Sequence, residues 1–156
     1  MKKAKCPACG NTAFEAATYA ARRDLDGRRF TADVPARKCT SCWELLVSGP
    51  GMAAFERAIT LELACGGDVG PEAFRWLRKA AGLKAARLAE LLGVTPMQVS
   101  RWDNGRKPLE RRAVALVSAL AIEQLEGKGE TRAVLEALAA SKKRPKNVRF
   151  DVKATG

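Results

Sequence analysis

The sequence predicts an α+β protein in which a small β domain precedes a connecting helix and an all-α five-helix bundle. Three observations predict it. Two Cys-x-x-Cys motifs, Cys6–Cys9 and Cys39–Cys42, bracket a stretch of strand-like patterning around Asp26-Gly27. Two breaker clusters, Gly49-Pro50-Gly51 and Gly66-Gly67-Asp68-Val69-Gly70-Pro71, isolate one amphipathic stretch. Beyond the second cluster the apolar residues recur at helical spacing. The expected boundaries are 1–48 for the β domain, 49–70 for the connecting helix and linkers, 71–140 for the bundle and 141–156 for a basic flexible tail.

Taken in order, Phe14 to Arg23 and Arg28 to Val34 read as strands flanking Asp26-Gly27, a dipeptide that suits a tight hairpin turn with positive φ. A third short strand is expected from Trp43 to Val47. Phe55, Ile59 and Leu63, four residues apart, mark the connecting helix. Pro71 opens a helix through Ala80 with Phe74 and Leu77 inward, and Gly82 closes it. The next runs from Lys84 to Leu92 with Leu88, Ala89 and Leu92 buried, ended by Gly93. Thr95 caps the one after, with Pro96 at its first position and Asn104-Gly105 at its end. Pro108 is expected to start a longer helix reaching Glu126, and Thr131 to Ala140 a last one. There are no internal repeats.

The 156 residues carry 28 Lys+Arg against 17 Asp+Glu, a formal +11, with 47% hydrophobic and 29% charged residues. A packed core follows, and wholesale disorder is excluded. The charge is +4 over 1–50, −2 over 51–70, +4 over 71–126 and +5 over 127–156. Both halves and the tail therefore suit a polyanionic partner, with an acidic connector between them. Histidine is absent, which removes Ser-His-Asp and Cys-His catalysis and histidine metal ligation. With no glycine-rich phosphate loop and no paired carboxylates on one face, an enzyme is not expected. The charge-free helical run Ala113–Ile122 is about half of what a membrane span needs. The N-terminal lysines lack the apolar run of a secretory signal, so a cytoplasmic location without membrane partners is expected.

Five cysteines in such a chain favour metal binding or buried thiols over disulfides. Cys6-Pro7-Ala8-Cys9-Gly10 and Cys39-Thr40-Ser41-Cys42 are two knuckles separated by 29 residues. Two-residue spacing lets both thiolates of a knuckle reach one ion, and two knuckles supply the tetrahedral sulfur set that zinc prefers. One structural Zn²⁺ on Cys6, Cys9, Cys39 and Cys42 is the expected cofactor, with no position left for substrate. An iron or redox dithiol, or unligated thiols, remain as alternatives. Phe14, Phe30, Leu45, Leu46 and Trp43 are too few to form a core without the metal. Lys2, Lys3, Lys5, Arg37 and Lys38 would offset a tetrathiolate site. Cys65 is expected to be a buried small residue at a helix end.

In the bundle, Leu88-Ala89-Glu90-Leu91-Leu92-Gly93-Val94-Thr95-Pro96-Met97-Gln98-Val99-Ser100-Arg101-Trp102 has the pattern of two short helices joined by a tight turn, a helix-turn-helix. At 100° per residue, Val99 and Trp102 point inward, which leaves Met97, Ser100, Arg101 and Asn104 outward with Gln98 on the flank. That face holds no acid, and Arg101 suits bidentate recognition of guanine. Thr95 and Pro96, at the helix start, suit a phosphate. Arg106, Lys107 and Lys84 would make further phosphate contacts. The blander alternative is that any small helical bundle exposes an arginine on some face.

The stretch Pro71 to Ile122, through Leu88-Ala89-x-x-Leu92-Gly93-Val94 and Val99-Ser100-Arg101-Trp102-x-Asn104-Gly105, resembles the Cro-like domains of the xenobiotic-response-element (XRE) class. Placed after a YgiT-type CPxCG…CxxC segment and a connecting helix, it resembles the MqsA family of antitoxins over residues 4–125. The resemblance implies a small ribonuclease-type toxin bound chiefly by the zinc domain. It also implies a homodimer formed through the helix-turn-helix domain and repression of its own operon at a palindromic double-stranded DNA operator. It matches Arg101 to the family's base-reading arginine and the four cysteines to its zinc ligands. Two departures stand out. Met97 replaces a base-reading asparagine, so a different operator is expected, with Met97 able to pack on a thymine methyl. Ala85 replaces the glutamine that often begins the second helix.

Three readings follow: an antitoxin and autorepressor, a stand-alone zinc-containing regulator without a toxin partner, and, with least support, a thiol or rubredoxin-like enzyme. The apolar run Val114, Leu116, Val117, Leu120 and Ile122, or Val134, Leu135 and Leu138 on the last helix, is the expected dimer interface.

Overall fold

The computed structural model describes residues 5–140. Its N-terminal part is a three-stranded antiparallel sheet in the order β1 (Phe14–Leu25), β2 (Arg28–Cys39), β3 (Leu45–Val47). Six helices follow: α1 (Gly49–Gly66), α2 (Pro71–Ala80), α3 (Ala85–Leu92), α4 (Pro96–Asp103), α5 (Arg111–Glu126) and α6 (Glu130–Ala139). The α+β class, with a connecting helix and five more, is as the sequence predicts. Lys2, Lys3 and the tail 141–156 lie outside the described residues.

The hairpin is longer than its patterning suggested. Asp26 (φ 47°) and Gly27 (φ 77°) both take left-handed conformations, which makes the two-residue turn whose twist matches the strands. From there the register is unbroken, Leu25 opposite Arg28 through to Phe14 opposite Cys39. Pairing therefore runs on into the cysteine knuckles at the far end. The third strand is shorter than expected. Trp43 has a positive φ of 66° and closes the second knuckle, so regular pairing with β2 begins only at Leu45.

The helices start and stop where backbone chemistry directs. Ser48 caps α1 by accepting from the Gly51 N–H, and Thr95 caps α4 by accepting from the Gln98 N–H at 3.2 Å. Gly67, Gly93 and Gly127 end α1, α3 and α5 in the left-handed conformation. One boundary is corrected: α5 begins at Arg111, not Pro108. Glu110 is extended (φ −82°, ψ 129°) and its carbonyl accepts from the Val114 N–H, so residues 106–110 form a connection that tucks Leu109 against the core. A second correction concerns α3, where Leu91 rather than Leu92 is fully buried. This short helix packs against both α4 and α6, which covers a wider arc than one stripe.

One continuous core runs through the molecule. Ala21, Leu25 and Val34 of the hairpin join Phe55, Ile59 and Leu63 of α1, and these join Phe74, Leu77, Leu88, Val99, Trp102, Val117 and Leu120 of the bundle. The apolar residues expected to fill the β domain are not fully buried, and Trp43 is 65% exposed. Among the described residues, α1 lies along β2 from Arg28 to Pro35, and Glu72 and Ala73 of α2 meet the hairpin turn at Asp26. Cys65, expected to be buried, is exposed at the end of α1. The last helix, α6, has no fully buried residue and is held largely by polar contacts. Glu123 accepts from the Thr131 N–H at 3.0 Å, Arg87 pairs with Glu136 at 2.9 Å, and Arg132 donates to the Ala81 carbonyl.

Leu63 lies at the centre of this joint core and is 1% exposed. Leu63→Ala is expected to cost about 2–5 kcal/mol in urea unfolding, with the hairpin tip and the bundle lost in a single transition. Two resolved transitions would show that the hairpin stands apart from the core.

Candidate metal centre and nucleic-acid interface

The two knuckles are built alike. In the first, the Gly10 N–H donates to the Cys6 carbonyl and Gly10 takes φ 77°; in the second, the Trp43 N–H donates to the Cys39 carbonyl and Trp43 takes φ 66°. Register places Cys39 opposite Phe14, which sets the second knuckle beside the first. The four sulfurs converge: all lie within 4.8 Å of one another, with Cys6 to Cys42 at 3.5 Å and Cys9 to Cys39 at 3.6 Å. A tetrahedral ion with bonds of roughly 2.3 Å would space its sulfurs about 3.8 Å apart. The donor set and its dimensions therefore fit one tetrahedral, thiophilic ion.

The electrostatics favour a cation there. The Cys42 backbone N–H, then that of Ser41 and the Asn11 side chain, hold the Cys39 thiol down at about 6. The Glu44 N–H draws Cys42 down, but the thiols of Cys9, Cys6 and Cys39 crowd it and push it up to about 12. Four sulfurs this close cannot all be anionic without a positive charge among them. Asn11 ties the knuckles together, donating to Cys39 Sγ at 3.6 Å and to Thr40 Oγ1 at 3.2 Å. Sequence reasoning passed over Asn11; its place just after Cys-Gly is the signal that could have found it. Of the lysines and arginine expected around the site, Arg37 lies over Phe14 and Lys38 over Trp43, at 5.1 and 4.1 Å.

The second site is α4 and its surroundings. Val99 and Trp102 are fully buried, and Trp102 meets Phe74 edge-on with centroids 5.9 Å apart. This sets the outward face as the helical period requires: Met97, Ser100, Arg101 and Asn104 are exposed, and Gln98 is half-buried. Thr95, Pro96, Arg106, Lys107 and Lys84 are exposed at its margins, Lys84 preceding α3. Lys84, Arg101, Arg106 and Lys107 make no ion pair among the described residues.

Three details depart from the sequence picture. Glu110 brings an acid to the edge of the face, accepting from Gln98 Nε2 at 2.9 Å. The Asn104 amide donates to the Ser100 carbonyl at 2.7 Å. At the start of α4 the Gln98 N–H is taken by Thr95 and Pro96 has none, which leaves the Met97 N–H without a partner among the described residues. Arg111 and Arg112, exposed in the first turn of α5 beside Glu110, are basic residues to which the sequence assigned no role.

Sequence reasoning also missed what holds α4 in place. Asp103 is buried and receives Arg78 Nη2 at 2.7 Å and Nε at 3.4 Å, while Arg78 Nη1 donates to the Leu83 carbonyl. This bidentate pair bolts the end of α4 to α2 and to the α2–α3 turn. The signal was available: Arg78 follows Phe74 by four residues, on the inward stripe of its helix. Trp102 Nε1 is buried without a hydrogen-bond partner among the described residues.

With this geometry in place, the helix-turn-helix family model matches residues 74–123, from α2 nearly to the end of α5. That segment is an XRE-type helix-turn-helix domain, the kind that DNA-binding regulators carry. The chain therefore combines a DNA-binding class of domain with a four-cysteine cluster able to hold one metal ion. No curated protein matches the chain. No described helix is long and apolar enough to cross a membrane.

Because the turn end of the hairpin packs into the helical core, a chelator added to the metal-loaded chain should unravel only the cysteine end. Amide signals of residues 5–13 and 39–45 are expected to collapse, with α2 to α5 keeping their exchange protection. Loss of the bundle along with the knuckles would contradict this.

Proposed function

We propose that this chain is the antitoxin and autorepressor of a type II toxin–antitoxin pair. Its four cysteines hold one structural zinc ion, its metal-headed β domain binds and neutralises a small ribonuclease-type toxin, and its bundle represses the operon that encodes both. The observation that carries the DNA-binding half is the outward face of α4. An arginine stands at its centre and cations at its rim, none of them in an ion pair among the described residues, on a helix seated by buried Trp102 and the Arg78–Asp103 pair. Arg101 reads a guanine edge, and Arg106, Lys107 and Lys84 contact phosphates. Four thiolates in tetrahedral spacing suit zinc, and with no open position left the ion's role is structural.

The toxin-binding half rests on the resemblance to the MqsA family, in the order of knuckles, connecting helix and helix-turn-helix. It is supported by apolar surface beside the metal cluster, where Trp43 and Leu45 are exposed. Homodimerisation rests on the same resemblance. Uncovered apolar surface supports it: Val134 and Leu138 of α6 are 58% and 70% exposed, and Val114 and Ile122 of α5 are half-buried.

Co-expression with the product of the adjacent gene tests the pairing: a stable complex that silences a ribonuclease is expected. Failure to co-purify would leave a stand-alone zinc-containing regulator. For DNA, Arg101→Ala should cost roughly 1–3 kcal/mol and relax preference at one base position, measured by titration of duplexes varied there. Lys107→Gln should weaken all sequences alike and reduce the slope of log K against log salt by about one. Normal binding by Arg101→Ala would mean that α4 does not read bases in this orientation.

A further inference from the structure

The first turn of α2 lacks a cap of its own. Its N-cap residue is Gly70, which has no side chain, and Pro71 at the first position has no N–H. The Glu72 and Ala73 N–H groups would be left without partners. Both are satisfied from a distant part of the chain. Asp26, at the tip of the β1–β2 hairpin, accepts from the Glu72 N–H through Oδ1 at 3.0 Å and from the Ala73 N–H through Oδ2 at 2.7 Å. Glu72 reciprocates, its Oε2 accepting from the Asp26 N–H at 2.6 Å. This is the exchange of a capping box, made between residues 46 positions apart in sequence.

The surroundings are shaped for it. A Cβ on Gly70 would lie 2.4 Å from the Asp26 carboxyl carbon, so glycine is what lets the carboxylate in. Asp26 holds a φ of 47°, a conformation that Asp and Asn tolerate better than other side chains. Arg23 lies over Trp76 of α2 at 5.4 Å, and Arg28 pairs with Glu62 of α1 at 2.7 Å, which seats the tip from both sides.

The contact continues to α4. A Cβ on Gly105, in the turn that ends α4, would lie 3.1 Å from Pro71 Cγ. Phe74 meets Trp102, and Arg78 holds Asp103. The hairpin tip thus fixes one end of the helix against which α4 is seated.

We infer that Asp26 is a positioning residue for DNA reading: carried on the metal-headed hairpin, it caps α2 and through α2 sets the seat of α4. The inference rests on the DNA-reading role proposed above. It makes the β domain a working part of the DNA-binding unit, so that whatever displaces the hairpin tip also loosens the reading head.

The test uses the metal-loaded full chain and a duplex enriched from a randomised pool by the wild-type protein. Asp26→Ala should speed exchange of the Glu72 and Ala73 amides about tenfold. It should also weaken binding to the enriched duplex by roughly three- to tenfold while leaving affinity for a scrambled duplex unchanged. Asp26→Asn, which keeps an acceptor and tolerates the turn, should restore part of both losses. Gly70→Ala should reproduce the Asp26→Ala effects by expelling the carboxylate, and the double variant should be no worse than the more severe single. Unchanged exchange in Asp26→Ala, or faster exchange with the preference for the enriched duplex intact, would overturn the inference alone. A wild-type chain that enriches no duplex would overturn the DNA reading on which it rests.

Discussion

Everything in this molecule leans on α1, whose buried stripe must be covered from two sides at once. Phe55, Ile59 and Leu63 face a hairpin too thin to hold a core and a bundle that already has one. Burying a side chain of this size stabilises by about 1.5–3 kcal/mol, and it does so here only if both neighbours are in place. The hairpin gains a floor for Ala21, Leu25 and Val34, and the bundle gains a third helix against α2 and α5. Thr60 completes the seam, accepting from Trp76 Nε1 at 3.0 Å while its hydroxyl donates to the Glu56 carbonyl. A connecting helix that looks like a spacer in sequence is the central packing element.

The two candidate sites follow from that arrangement in different ways. The sulfur cluster sits at the end of the hairpin farthest along the register from the Asp26-Gly27 turn. Backbone bonds within each knuckle and Asn11 between them bring its sulfurs together. The face of α4 is the opposite case. It depends on deep burial, with Trp102 and Val99 inaccessible and a buried ion pair at its end. Breaking such a pair by removing one partner is far more damaging than losing a surface pair, because the remaining charge is stranded. Arg101 can be free to meet a ligand because its neighbours two residues to either side are locked.

Much was legible in the sequence because local chemistry suffices for it. Asp-Gly between alternating strands, Thr-Pro at the start of α4 and glycines after helices specify backbone conformation within a few residues. The paired Cys-x-x-Cys motifs specify ligand geometry within a turn, and the 3.6-residue period orients Arg101 outward once Val99 and Trp102 point in. Where reading failed, distant contacts had overridden local preference. Pro108 marks a plausible helix start, but the chain needed residues 106–110 to return Leu109 to the core. Leu91 displaced Leu92 because α6, distant in sequence, covers α3 from a second side. Cys65 reads as apolar, yet it stands exposed at the end of α1.

By itself the sequence determined the class of fold, the order of its helices, the four converging cysteines and the outward side of α4, since each is encoded by residues close together or by a repeating period. Only the tertiary structure decided that the hairpin tip belongs to the helical core, that Arg78 and Asp103 find each other, and that Asp26 caps a helix that has no cap of its own. Those pairings join residues 25 to 47 positions apart. No local rule links such residues, because their meeting is settled by which surfaces α1 brings together when the chain collapses.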